Sequence, residues 1–316
     1  MNILIEGSGA VGIGLGCSMI NSGFNVSFYA SEKTAEAMKE GIKRTGILKH
    51  LKATPDMYKV YTNYADMPSD EFDYVFVTSK TIANEDISKK LNENSRILKN
   101  DYNIIIFQNG FGNDEFYLNY FPKEHVFCAR VITGFTRPER NISEVTVYTE
   151  PILLGSLQGV DASFLEIIAN AITESGIPSE VTDKLSEYLW AKMLYNCALN
   201  PLSTVLGVNY GKLTENQYSK DIMNRIIEEI FNVINASGYK TLWDSAEEYK
   251  KVFYSKLVPD TYNHYSSTYQ DLMKKNKTEI DSLNGKVIAI GEKYDVDVSV
   301  NRTLYNMIKS IESSYL

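Results

Sequence analysis

Six residues into the chain, NILIE runs straight into GSGAVG, Gly7 to Gly12, and no other stretch constrains the fold as tightly. Asn2 to Glu6 is a short β-rich run. The IGLGCSMINSG that follows has the apolar spacing of a helix and stops at Gly23, and NVSFYA, Asn25 to Ala30, reads as a second strand. Strand, glycine turn, helix and strand form the opening of a dinucleotide-binding parallel sheet. Gly7 makes the tight turn, Gly9 lets the backbone approach a pyrophosphate, and Gly12 lets helix and strand pack closely. Ser8, Ala10 and Val11 complete the loop, where the helix N-terminus offers N–H groups to phosphate. Cofactor choice turns on the end of the second strand, Tyr29-Ala30-Ser31-Glu32-Lys33. Ser31 and Lys33 suit the 2′-phosphate of NADP, whereas Glu32 suits the ribose hydroxyl of NAD or simply solvent, so NAD stays open beside NADP.

Further along, FDYVFVT (Phe72 to Thr78) and the apolar run in NIIIFQNGFG (Asn103 to Gly112) read as strands. Lys80 and Asn109 fall just past their C-terminal ends, where open parallel sheets bind ligands. A surface lysine and a turn asparagine are the plain alternatives. His125 to Gly134, Glu144 to Thr149 and Ile152 to Leu154 look like further strands, and Ala162 to Ser175 like an amphipathic helix. From about Asp183 the pattern is helical. The expected class is therefore α/β, with a Rossmann-type domain over 1–182 and an all-α domain over 183–316.

Within the helical half, WAKMLYNCALNPL places Lys192, Asn196 and Asn200 at i, i+4 and i+8, on one stripe of an otherwise apolar helix. A buried ammonium and two buried amides need partners. A ligand is one candidate; the other is a lysine that snorkels to the surface and asparagines that cap backbone groups beside Pro201. Pro201 disfavours α geometry at Asn200, which predicts a kink or helix end there.

The balance of 32 basic against 40 acidic residues, without a basic run, argues against nucleic acid as a partner. No apolar run reaches the roughly 20 residues that span a membrane, and no leader pattern precedes NILIE, so a cytoplasmic protein with a small-molecule partner is expected. Cys17, Cys128 and Cys197 suit small core residues rather than a disulfide or metal framework. The sequence is compatible with a homodimer.

Taken together, GSGAVG, VTSK at Lys80, QNGFG at Asn109, WAKMLYNCALNPL at Lys192, SSTYQD at Ser267 and TEID…NG at Glu279 resemble the ketopantoate reductase (2-dehydropantoate 2-reductase) family, in order and spacing, over nearly the whole chain. The resemblance implies NADPH-dependent reduction of ketopantoate to pantoate, a step towards pantothenate and coenzyme A. Lys192 would be the general acid. Asn109, Asn196 and Asn200 would position substrate and nicotinamide, Ser267 the substrate carboxylate, and Glu279 the distal hydroxyl, beside the cofactor. Lys80 would lie by both, and Thr133 on the cofactor side. The sequence departs from the family in one place: an arginine is common where Ser31 stands, and serine cannot hold a phosphate bidentately.

Ser267 and Glu279 are twelve residues apart, about 18 Å along a straight helix, too far for both to touch a small acid. A helix break near Lys274-Lys275-Asn276-Lys277 is expected. Three alternatives compete. Tyr188 and Lys192 spell the Y-x-x-x-K of short-chain dehydrogenases, but beyond the Rossmann domain. The scaffold also suits another small 2-oxo or imino acid, or a dinucleotide sensor without turnover. His50, His125 and His264 sit in polar or strand-edge contexts that do not favour a histidine acid.

Overall fold

A computed structural model describes all 316 residues, which divide into two compact units. The first comprises Met1–Gln108 and Asn113–Leu185, the second Asn109–Gly112 and Ser186–Leu316.

In the first unit, β1 (Asn2–Glu6), α1 (Ala10–Asn21), β2 (Asn25–Tyr29) and α2 (Glu32–Met38) lead into β3 (Ile42–Gly46), β4 (Leu51–Ala53) and β5 (Tyr58–Tyr61). There follow β6 (Phe72–Val77), α3 (Asn84–Glu93), β7 (Leu98–Ile106), α4 (Asp114–Leu118) and β8 (Val126–Arg130). The unit closes with β9 (Gly134–Glu139), β10 (Ile142–Val147), β11 (Ile152–Gly155), α5 (Glu166–Glu174) and β12 (Ser179–Val181). Eight strands form one sheet in the order β12-β11-β8-β7-β6-β1-β2-β5. All its pairings are parallel except that of β8 with β11. Ile3, Leu4, Ile5, Val75, Phe76, Ile104 and Ile105 are wholly buried, which is why these strands read as unbroken apolar runs. The chain leaves β1 towards β2 and returns on its other side as β6, so the topological switch lies at β1.

A second sheet, β4-β3-β10-β9, packs on the other side of α1, which touches strands of both. A Cβ at Gly14 would come within 2.7 Å of the Phe135 ring, and one at Gly16 within 2.3 Å of the Phe28 ring, so α1 fits between the sheets because those faces are bare. Arg44 of β3 is fully buried without a carboxylate beside it. Its guanidinium instead donates to Ser18 Oγ of α1, to the Lys49 carbonyl, and to the hydroxyl and carbonyl of Ser175, the residue that ends α5. Burial lowers its pKa to about 10.

The second unit is helical: α6 (Leu185–Leu206), α7 (Tyr210–Thr214), α8 (Gln217–Ser237), α9 (Ala246–Val252), α10 (Val258–Asp260), α11 (Ser267–Met273), α12 (Asn284–Lys293) and α13 (Ser299–Glu312). Helix α8 buries Met223, Ile226, Ile227, Ile230, Phe231, Val233 and Ile234, a helical stripe, and packs against α7, α9, α12 and α13. Asn216 caps its start by accepting from the Tyr218 N–H, and Gly238, at φ +77°, ends it in the left-handed region.

The fold class is the one expected, and the expected helix break is present. Helix α11 ends at Met273, Lys275 takes φ +55°, and the next helical turn begins at Ile280. Of the kink or helix end expected at Pro201, the helix end is absent: α6 runs on through the proline to Leu206. Proline deprives the Cys197 carbonyl, four residues back, of its donor. Asn284 Nδ2 supplies one instead, at 3.2 Å, and also donates to Asn301 Oδ1 at 2.9 Å. Asn301 is held in turn by the Glu229 carboxylate, which accepts from its Nδ2 at 2.7 Å and from the main-chain N–H groups of Val300 and Asn301. The strand expected over His125 to Gly134 also divides: β8 ends at Arg130, and Thr133 falls in the turn before β9.

Asn284→Ala should therefore lower stability by about 1–3 kcal/mol, read as a lower urea midpoint. Adding Pro201→Ala, which restores an N–H to the Cys197 carbonyl, should recover part of the loss. Strict additivity of the two substitutions would refute the link.

Candidate active site

The glycine loop is built from the ends of β1 and β6. Glu6, the last residue of β1, accepts at its carbonyl from the N–H groups of Thr78 (2.8 Å) and Ser79 (3.2 Å), bringing the VTSK segment against the loop. The approach leaves no space for a side chain. A Cβ on Gly7, at φ +106°, would lie 2.3 Å from the Ser79 nitrogen, and one on Gly12 would lie 2.2 Å from the Gly7 carbonyl oxygen. Gly9 differs, since a Cβ there would enter open space. Ser8 Oγ donates to the Tyr29 carbonyl at 2.8 Å, tying the loop to the end of β2.

Ser31 and Lys33 are both exposed, at the end of β2 and in the first turn of α2. Ser31 Oγ donates to Thr34 Oγ1 at 3.2 Å. Lys80 is exposed and begins a short helical turn, Thr81–Ala83. Gln108, just before Asn109, donates its amide to the Ser79 carbonyl at 2.9 Å, and its Oε1 is buried without a partner. Thr133 Oγ1 is likewise buried and unpartnered. The sequence marked Gln108 only as part of a turn signal, because its work depends on a strand end far away in the chain.

The second unit gathers the other candidates along α6. Lys192 Nζ donates to Asn109 Oδ1 at 2.5 Å, although 83 residues separate them. Asn109 reaches Lys192 because Asn109–Gly112 belongs to this unit. Phe111 packs against Trp190 and Tyr239, with ring centroids 4.9 and 5.2 Å away, and its N–H donates to the Ser282 carbonyl at 3.1 Å. Gly110, at φ +94°, allows that approach, since a Cβ would sit 2.4 Å from the same oxygen.

One turn beyond Lys192, Asn196 is half-buried and its side chain makes no hydrogen bond within the chain. Asn200, a turn further, is buried and accepts from the Tyr210 hydroxyl at 2.6 Å through Oδ1. Its main-chain carbonyl accepts from Ser266 Oγ at 3.3 Å. Ser266 is also the N-cap of α11, which leaves its neighbour Ser267 exposed in the first turn. From Lys192 to Asn200 the stripe spans about 12 Å. Past the helix break, half-buried Glu279 starts the turn Ile280–Ser282, and Thr278 before it donates its N–H and hydroxyl to Glu312. Two histidines lie on backbone carbonyls, His50 on Gly46 and His125 on Tyr102, while His264 packs its ring against Tyr210, with centroids 5.2 Å apart.

Residues 3–159 match the family model described as ketopantoate reductase PanE/ApbA, and residues 184–312 match its C-terminal counterpart. The chain belongs to the ketopantoate reductase family. A 2-dehydropantoate 2-reductase of Aquifex aeolicus is 38% identical over 255 residues, covering 80% of this chain and 81% of that one. One from Archaeoglobus fulgidus is 30% identical over 315 residues, 98% of each chain. The crystal structure of 2-dehydropantoate 2-reductase from Methylococcus capsulatus shares the fold, with a TM-score of 0.86 at 22% identity over 100% of this chain and 98% of that one. No helix is long and apolar enough to cross a membrane.

In this family member the carboxyl group directly before the glycine loop is itself unusual. Glu6 is 3% exposed and accepts from the Tyr64 hydroxyl at 2.5 Å. Burial raises its pKa from 4.5 to about 7, against the opposing effects of the Tyr64 bond and Lys90. The folded chain thus holds a proton that the unfolded chain has released, so stability falls as pH rises from about 4.5 to about 7 and is level above. The expected size is about 3 kcal/mol. Glu6→Gln should remove that part of the slope in urea unfolding across this range; an unchanged slope would assign it elsewhere.

Proposed function

We propose that the chain reduces the ketone of 2-dehydropantoate to give pantoate, with NADPH as the reductant and Lys192 as general acid. Relatives that match along nearly the whole chain carry that activity in their names, and a D-mandelate dehydrogenase that shares the fold is described in a ternary structure with NADH. The observation that carries the reading is the 2.5 Å contact between Lys192 Nζ and Asn109 Oδ1. It orients an ammonium that would otherwise swing on a four-carbon stem. The glycine loop fits a dinucleotide. The space a Gly9 Cβ would fill suits a pyrophosphate, and the unpartnered Thr133 Oγ1 and Gln108 Oε1 are polar atoms that a bound group can satisfy. Residues 1–182, with Gly7 to Gly12, Ser31, Lys33, Lys80 and Thr133, would hold the nucleotide; residues 183–316, with Asn109, would hold the 2-oxo acid.

A bound reduced nicotinamide supplies the hydride. The chain supplies a proton and a shape. Lys192 gives its proton to the ketone oxygen, and Asn109 fixes where the remaining ammonium protons point. Asn196 Nδ2, uncommitted within the chain, can donate to the same oxygen as charge develops there. Asn200 Oδ1 is already bound to Tyr210, so any substrate contact falls to its Nδ2. Ser267 takes the substrate carboxylate, and Glu279 the distal hydroxyl.

Oxidation of NADPH and NADH should be followed with 2-dehydropantoate. Lys192→Ala should lower kcat by about 10²–10⁴-fold, while Tyr188→Phe keeps activity. A 2-oxo acid lacking the distal hydroxyl should lose kcat/KM, since it leaves Glu279 unpaired. Equal activity on both acids would point to another 2-oxo acid. Nucleotide binding without turnover of any 2-oxo acid would make the chain a sensor.

A further inference from the structure

At the end of β2, where an adenosine ribose lies in folds of this kind, the chain offers no arginine and no buried carboxylate. A guanidinium nevertheless reaches this place, from the second sheet. Arg137, on β9, donates through Nη2 to Thr34 Oγ1 at 3.1 Å, and Thr34 Oγ1 also accepts from Ser31 Oγ at 3.2 Å. Thr34 is 3% exposed, so the link is fixed from below, and Ser31 is exposed above it. The hairpin that carries Arg137 is itself braced. Arg137 Nε and Nη2 donate to the Arg140 carbonyl at its turn, and Asn141 Nδ2 donates to the Gly41 carbonyl beside β3.

Glu32 is exposed in the first turn of α2 beside Ser31, but no carboxylate pairs with the guanidinium. Arg137 is half-buried, its Nη1 makes no hydrogen bond within the chain, and it forms no ion pair with any carboxylate. Burial and the neighbouring Arg140 both disfavour its charge. Lys33 adds a third cation on the adjoining turn. A half-buried guanidinium held rigid among like charges costs stability unless an anion completes it. Its planar fork suits a phosphate, and the Ser31 hydroxyl stands within the same hydrogen-bonded chain.

We infer that Arg137, with Ser31 and Thr34, recognises the 2′-phosphate of the nucleotide, so that the cation expected on β2 is supplied from β9. The inference rests on the dinucleotide reading above and deepens it. It makes NADPH the preferred nucleotide through a residue more than one hundred positions from the glycine loop's own strand.

Calorimetric titration of the intact protein with NADPH, NADH and 2′,5′-ADP tests it without turnover. The wild type should bind NADPH at least about 10-fold more tightly than NADH. Arg137→Ala should weaken NADPH and 2′,5′-ADP by about 10–100-fold and leave NADH within about twofold. Arg137→Lys, which keeps the charge and loses the fork, should fall between. Equal loss for both nucleotides in Arg137→Ala, with a lowered melting temperature, would make the residue a brace of the hairpin and overturn the inference. So would an unchanged NADPH affinity, or a wild type that binds the two nucleotides equally. Failure of the wild type to bind either nucleotide would instead overturn the dinucleotide reading itself.

Discussion

One carbonyl group organises the helical unit. Pro201 takes from Cys197 O the N–H that would close its helical turn, and a bare carbonyl buried at this depth is costly. Asn284, the first residue of α12, replaces the missing donor, Asn301 holds Asn284, and Glu229 of α8 holds Asn301 at the start of α13. A defect in one helix is thus converted into a polar chain that fixes four. It lets α6 continue to Leu206, so that the Asn200 carbonyl can meet Ser266 and locate the start of α11. Candidate residues from two separate stretches, Asn200 on α6 and Ser267 on α11, therefore depend on an asparagine outside the candidate set.

The α/β unit is governed by a different constraint, close approach of backbone. Helix α1 lies between two sheets, and the glycines of the helix and of the loop before it are spent on two needs. Gly7 and Gly12 bring β1, β6 and the helix together at the loop, while Gly14 and Gly16 admit the rings of Phe135 and Phe28. The second sheet supplies the β9–β10 hairpin and with it Arg137. Its small size hides its importance: all four of its strands touch α1, on the face that the large sheet does not cover.

Much of this was legible in the sequence for simple reasons. The strand–glycine–helix unit is local, and fully buried parallel strands leave long apolar runs. The break after Met273 was legible once the resemblance gave Ser267 and Glu279 a shared small substrate, since twelve residues of helix would separate them too widely. What stayed hidden was non-local. Strands β3, β4 and β9 carry Lys, Arg, Thr and Pro, with little of the alternation that marks a half-buried strand. The continuation of α6 through Pro201 depended on a donor 83 positions ahead. The place of Asn109 depended on Phe111 finding Trp190 and Tyr239, and that of Arg137 on a threonine in α2. In each case local propensity was outweighed by a partner that the linear sequence does not mark.

The membership of Asn109–Gly112 in the helical unit carries a consequence for how the gene can be divided. The chain crosses from one unit to the other three times, at 108/109, 112/113 and 185/186, rather than once. A fragment beginning at Ser186 would include every helix from α7 onward, yet it would lack the Phe111 ring that covers Trp190 and Tyr239, and the amide that meets Lys192. The helical half is thus not a self-sufficient module: four residues borrowed from early in the chain complete its packing and give Lys192 its amide partner, so the two halves are expected to need expression as a single piece.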